Sequence, residues 1–126
     1  MKLNLDTIII FVKDVDALKL FYADILDLEI TEETKSEWVV LKAGNSNIGL
    51  HKIGEQFLGQ SKEAFHVEGN TKIVFETDED ICKVREQLLQ KKVKIKEIKT
   101  FEGYDYLLCD GEDPEGNVFQ LKQKKH

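Results

Sequence analysis

Ile8-Ile9-Ile10-Phe11-Val12-Lys13-Asp14 is an apolar run that stops on an aspartate, and Ile73-Val74-Phe75-Glu76-Thr77-Asp78 repeats the plan. β-Branched and aromatic side chains suit a pleated strand. An aspartate just beyond can accept from the free amides of a first helical turn. Each run therefore reads as a strand feeding a helix. Outward from both, the same order follows. Residues 7–53 read as strand, helix and three strands, and residues 72–123 read likewise. The period from one copy to the next, about 65 residues, is too long for a solenoid unit of 20–50 residues. Two copies of one module predict a pseudo-symmetric domain with a site between them.

In the first half the strand is predicted from about Leu3 to Lys13, with Asp14 as helix N-cap. Asp16 favours the positive end of the helix dipole. Val15, Leu18, Phe21, Tyr22, Ile25 and Leu26 recur at offsets of three and four, which places them on one face. Strands follow at Leu28–Thr34, Trp38–Ala43 and Ile48–Ile53, with a turn at Gly44-Asn45-Ser46-Asn47. In the second half Asp78 is the expected N-cap, and Ile81, Val84, Leu88 and Leu89 form the apolar stripe. Strands are expected at Val93–Thr100, Tyr104–Cys109 and Val118–Lys122. Asp110 to Asn117 reads as an acidic turn holding the only proline, Pro114. It lacks the spacing and terminal glutamate of a calcium loop. Gly54 to Gly69, with Phe57, Phe65 and His66, reads as the crossover between modules and the least ordered region.

The chain has 126 residues, 41% hydrophobic and 33% charged, which suits one soluble globular domain. No apolar run reaches the roughly 18 residues of a membrane span, and the polar start resembles no signal peptide; a cytoplasmic location is expected. A net charge of −6 argues against nucleic acid and anionic membrane as partners. Lys91, Lys92, Lys94, Lys96 and Lys99 alternate with Val93, Ile95 and Ile98 as the solvated face of a half-buried strand. Two cysteines, Cys82 and Cys109, make neither a disulfide framework nor a zinc pattern. No phosphate-cradling glycine loop and no Gly-x-Ser-x-Gly elbow is present.

Phe11-Val12-Lys13-Asp14-Val15-Asp16 with Phe21-Tyr22, and Asp113-Pro114-Glu115-Gly116-Asn117-Val118-Phe119-Gln120-Leu121 near the end, resemble the opening and closing segments of the vicinal oxygen chelate superfamily. That superfamily includes glyoxalase I, bleomycin- and fosfomycin-resistance proteins and extradiol dioxygenases. The resemblance spans almost the whole chain. It implies an α+β fold of two βαβββ modules in pseudo-two-fold arrangement, with mixed sheets curled into a cup. It implies one domain over 1–126, made of a module at 1–54, a crossover at 55–69 and a module at 70–126. It also implies a homodimer. It does not imply one reaction, since fold is not function.

Enzymes of the family hold a divalent metal in the cup through His, Glu or Gln on the opening and closing strands. Here those positions fall on Thr7, on Gly49 or His51, on Lys72 and on Gln120. A protonated lysine has no lone pair to offer, so no metal ligand set and no cofactor is expected. Lys72 instead supplies a positive charge for a carboxylate or phenolate, or else pairs with Glu76. Thr7, Phe11, Trp38, His51, Lys72 and Gln120 are the candidate ligand-binding residues, with Ile9, Tyr104, Tyr106 and Phe57 as further apolar lining. The expected function is metal-independent binding or sequestration of an anionic or aromatic small molecule. The alternatives are a lyase, isomerase or dioxygenase relative with a degenerate metal site, and a protein–protein module whose cup is filled by side chains.

Overall fold

In a computed structural model the described residues are 1–2, 4–54 and 71–126. The crossover with Phe57, Phe65 and His66 lies outside them. The chain divides into two compact units, and each has the strand–helix–three-strand order read from the sequence. Among the described residues no helix is long and apolar enough to cross a membrane.

The first unit begins with β1 (Thr7–Val12), which enters a helix through Asp14. The Asp14 carboxylate accepts from the Ala17 amide at 3.0 Å, as its position predicts. The helix is ordinary α only over α1 (Val15–Lys19), then widens to π turns over Leu20–Ile25. The Leu26 amide accordingly reaches back to the Phe21 carbonyl, five residues away. The wider turn lets Val15, Leu18, Phe21 and Tyr22 all face inward, with Phe21 and Tyr22 edge to face. Strands β2 (Glu29–Thr34), β3 (Trp38–Ala43) and β4 (Ser46–Lys52) complete a mixed sheet in the order β1-β4-β3-β2. β1 and β4 run parallel and the other pairs antiparallel. Val12, Val39, Leu41, Ile48 and Leu50 are buried on the face that α1 covers.

The second unit repeats this with β5 (Ile73–Glu76), α2 (Ile81–Gln90), β6 (Lys94–Ile95), β7 (Tyr106–Glu112) and β8 (Val118–Lys124), in the order β5-β8-β7-β6. Ile81, Leu88, Cys109, Phe119 and Leu121 are buried. The cap is Asp80, not Asp78: its carboxylate accepts from the Cys82 amide at 2.9 Å. Thr77 accepts from the Glu79 amide and adds a turn before the helix, which moves the start two residues on. A second cap comes from across the sheet, where buried Gln123 accepts from the Ile81 amide at 2.8 Å.

Three further expectations are corrected. Asp110, Gly111 and Glu112 belong to β7, because they pair with Gln120, Phe119 and Val118. The turn is only Asp113 to Asn117. Buried Asp113 accepts from the amides of Glu115 and Asn117 and from the Asn117 carboxamide, while Gly116 takes φ +82°. The Asp-Pro-Glu-Gly-Asn segment is thus a self-capped turn. The lysine-rich stretch is a strand for two residues only, and Tyr104 precedes β7 rather than lying in it.

Candidate functional site

In each unit one sheet face is covered by its helix; the other, called open for that reason, still buries Leu108 and Asp110 in the second unit. Period-two alternation assigns residues to them. In the first unit Ile9 pairs with Gly49 and Phe11 with His51, and β3 adds Trp38 opposite His51 and Val40 opposite Gly49. Thr7, Ile9, Phe11, Trp38, Gly49 and His51 therefore share the open face. Three rings meet there. Phe11 and His51 have centroids 5.2 Å apart, and Trp38 and His51 are 5.7 Å apart. Phe11 is 55% exposed despite its size.

Trp38 is positioned by two features that local sequence pattern does not reveal. Its ring lies over Gly49, where an added Cβ would stand 2.6 Å from the indole Cη2. Its indole N–H donates to Glu32 at 2.7 Å. Glu32 reaches this face because β2 carries a bulge. Ile30 pairs with Leu41 but Glu32 with Val40, so one extra residue shifts the register and turns Glu32 to the Trp38 side. His51 is oriented by its own backbone neighbourhood. Nδ1 lies 2.7 Å from the Lys52 carbonyl, an acceptor, so Nδ1 donates, and in the neutral ring it is Nε2 that carries the lone pair.

In the second unit Lys72, Val74 and Glu76 precede or lie on β5, Gln120 and Lys122 on β8, and Tyr106, Leu108 and Asp110 on β7. Val74 pairs with Gln120, and Asp110 with Gln120. Lys72 does not pair with Glu76 among the described ion pairs. Its ammonium lies 3.2 Å from Oδ2 of Asp110. Lys99 reaches the same oxygen at 3.5 Å, and the Gln120 carboxamide donates to Oδ1 at 2.8 Å. Burial pushes the Asp110 carboxyl up, but the bonds from Gln120 and Lys72 and the charge of Lys99 outweigh it and hold the group below the usual carboxylate range. Lys122 sits 4.0 Å over the ring of Tyr106, and Tyr104 adjoins Tyr106.

The repeat resolves the open choice between Gly49 and His51. Ile9 corresponds to Val74, and these pair with Gly49 and Gln120. Gly49 is therefore the counterpart of Gln120, and His51 that of Lys122. The donor chemistry of the four positions fits a divalent ion poorly. Thr7 donates its hydroxyl to Asp6 at 2.7 Å, Gly49 has no side chain and lies under an indole, Lys72 is an ammonium, and Gln120 turns its amide nitrogen to Asp110. Among the described residues no three His, Cys, Asp or Glu stand together as a ligand group. Cys109 is fully buried, and its Sγ donates to the Lys96 carbonyl at 3.2 Å. Burial raises its pKa, which disfavours the thiolate.

Asp110, Lys99 and Glu32 are the residues that sequence reasoning missed. Each acts through a cross-strand register rather than through its neighbours in the chain.

Solved structures share this architecture. The chain resembles a lactoylglutathione lyase from Agrobacterium tumefaciens with a TM-score of 0.75 and 16% identity, over 95% of this chain and 92% of that one. It resembles an antibiotic-binding protein from Streptomyces sp. CB03234 with a TM-score of 0.77 and 17% identity, over 98% of each. It resembles a protein of the mobile metagenome of V. Pseudocholerae with a TM-score of 0.75 and 23% identity, over 100% of this chain and 98% of that one. The family model described as Glyoxalase/Bleomycin resistance protein/Dioxygenase superfamily matches residues 4–121. Two βαβββ units, the self-capped Asp-Pro-Glu-Gly-Asn turn and this match over nearly the full length make the chain a member of the glyoxalase/bleomycin resistance protein/dioxygenase superfamily.

Proposed function

We propose that the protein binds a small, flat aromatic molecule on the open face of its first sheet, without a metal ion. The observation that carries this is the adjacency of Phe11, His51 and Trp38, from three neighbouring strands, on one sheet face. Rings at such spacing offer a stacking surface, and a few placed polar groups beside an apolar wall are what small-molecule sites use. His51 Nε2 supplies an acceptor for a ligand N–H or O–H, and Glu32 holds the indole still. The likeness to an antibiotic-binding protein supports the binding reading. Metal independence is supported by the donor set, in which an ammonium and a glycine stand where lone pairs would be needed.

Trp38 is the only tryptophan of the chain and so reports on the site directly. Titration with planar aromatic compounds, beginning with 2-naphthamide and extending to aromatic antibiotics, is expected to quench its fluorescence saturably. Phe11→Ala should weaken binding about tenfold, since one ring contact is worth roughly 1 kcal/mol and its burial adds to that. Exhaustive dialysis against a chelator should change nothing. Binding that disappears with the chelator and returns with a divalent ion would favour the lyase, isomerase or dioxygenase reading. No quenching by any compound would end the proposal.

A further inference from the structure

We propose that the second unit carries its own binding site for an aromatic carboxylate or sulfonate, with Lys72 and Lys99 holding the anion and Asp110 and Gln120 positioning them. The residues named for it all belong to one sheet and the strands leading into it. It starts from an imbalance of charge. Two ammoniums converge on one oxygen, Oδ2 of Asp110, at 3.2 and 3.5 Å. Among the described residues Asp110 is the only carboxylate within 4.0 Å of either. One negative charge offsets one positive charge, so the cluster keeps an excess of about one. Glu76 and Glu112 share the face by register but form no ion pair with these lysines.

The layout of the cluster also favours a ligand. The carboxylate side chain is 11% exposed, whereas Lys72 and Lys99 are 42% and 49% exposed. The negative partner is sunk in the sheet and the cations stand toward water. An ammonium has three donors; Lys72 gives one to Asp110, and Lys99 meets the same oxygen as an ion pair only. The carboxylate can only accept, so the Gln120 nitrogen must face it, which leaves the Gln120 oxygen as an acceptor for a neighbouring ligand hydroxyl or amide. Beside Gln120 lies half-exposed Val74, an apolar surface suited to an aromatic body, and the Tyr106 ring stands farther along the same face of β7 with Lys122 over it.

Lys99 is on this face only because of a register shift. Lys94 pairs with Glu112 and Ile95 with Gly111, but Lys99 bridges to Leu108 rather than to Leu107. Unbroken pairing would turn Lys99 to the helix-covered side. The extra residue within Lys96–Ile98 reverses that, and bulges that re-aim a side chain recur beside functional sites.

Calorimetric titration of the full chain with 2-naphthoate, against neutral 2-naphthamide, tests the site. The acid is expected to bind about tenfold more tightly than the amide, and 0.5 M sodium chloride should erase most of that margin. Lys72→Met and Lys99→Met should each reduce acid affinity toward that of the amide. Lys83→Met, which removes an exposed charge on α2, should not. The salt titration needs no variant, so a substitution that fails to fold leaves the test intact. Equal binding of acid and amide to the unaltered protein would overturn the site, as would correctly folded lysine variants that bind the acid unchanged. An amide that quenches Trp38 while the acid binds no better would overturn this site and leave the first-sheet proposal standing.

Discussion

Asp110 is where one side chain does most. Its carboxylate is nearly covered, accepts from Gln120 and meets two lysines. Asp110→Asn leaves two ammoniums facing each other with no anion between them. The expected loss is about 1–2 kcal/mol, tempered because both lysines remain half in water; chemical denaturation measures it. The pH dependence has a definite sign. The folded carboxyl titrates below its unfolded counterpart, so its contribution is full at neutral pH. It declines as pH falls through the ordinary carboxylate range and is gone below the lower, folded value. The Asn variant should lose that part of the acid sensitivity, seen as a smaller change in denaturation midpoint between neutral and acid pH. The cysteines divide as plainly. Cys82 is exposed and Cys109 fully buried and bonded to the Lys96 carbonyl. A thiol reagent should modify one group per native chain quickly and the second only on unfolding.

At the scale of elements, close backbone approach explains two glycines. A Cβ on Gly111 would meet the buried Phe119 ring at 2.6 Å and the Lys94 carbonyl at 3.2 Å. Gly111→Ala should cost about 1–3 kcal/mol through overpacking, read from the melting curve. A Cβ on Gly49 would meet only the far edge of the Trp38 indole and the Ile9 side chain. Gly49→Ala should shift the Trp38 emission and weaken aromatic binding more than it lowers stability. Much of this level was legible in the chain. Ile8 to Asp14 gave away a strand and its cap, and the register between β1 and β4 put Thr7, Ile9 and Phe11 on one face as alternation predicts. Asp78 misled, because a Thr77 turn is invisible to propensity and a later aspartate served equally well. Lys91 to Lys99 misled because alternation was read through a bulge, where it breaks.

At the scale of the whole molecule, the two units show how one plan is reused. Their element order and strand order match, and the likeness was readable because helix and strand periods are local signals. The open faces were not readable, because they are assembled from distant residues. Lys72 and Asp110 lie 38 positions apart in the chain. Each sheet places its closing strand, β4 or β8, between two neighbours. Hydrogen exchange should therefore be slowest at amides such as Leu50 and Leu121 and faster on the edge strands, β1 and β2 in one sheet and β5 and β6 in the other.

A single supernumerary residue lies within β2, and another between β6 and the Lys99 bridge to Leu108; each swings a charged group, Glu32 or Lys99, across to the face away from the helix. Gaining or losing one residue at such a spot exchanges which side chains meet solvent while the hydrophobic layer beneath stays as it was. Chemistry on these surfaces can thus be rewritten by length changes alone, and an account of divergence in this lineage that counts only substitutions will overlook the cheapest step.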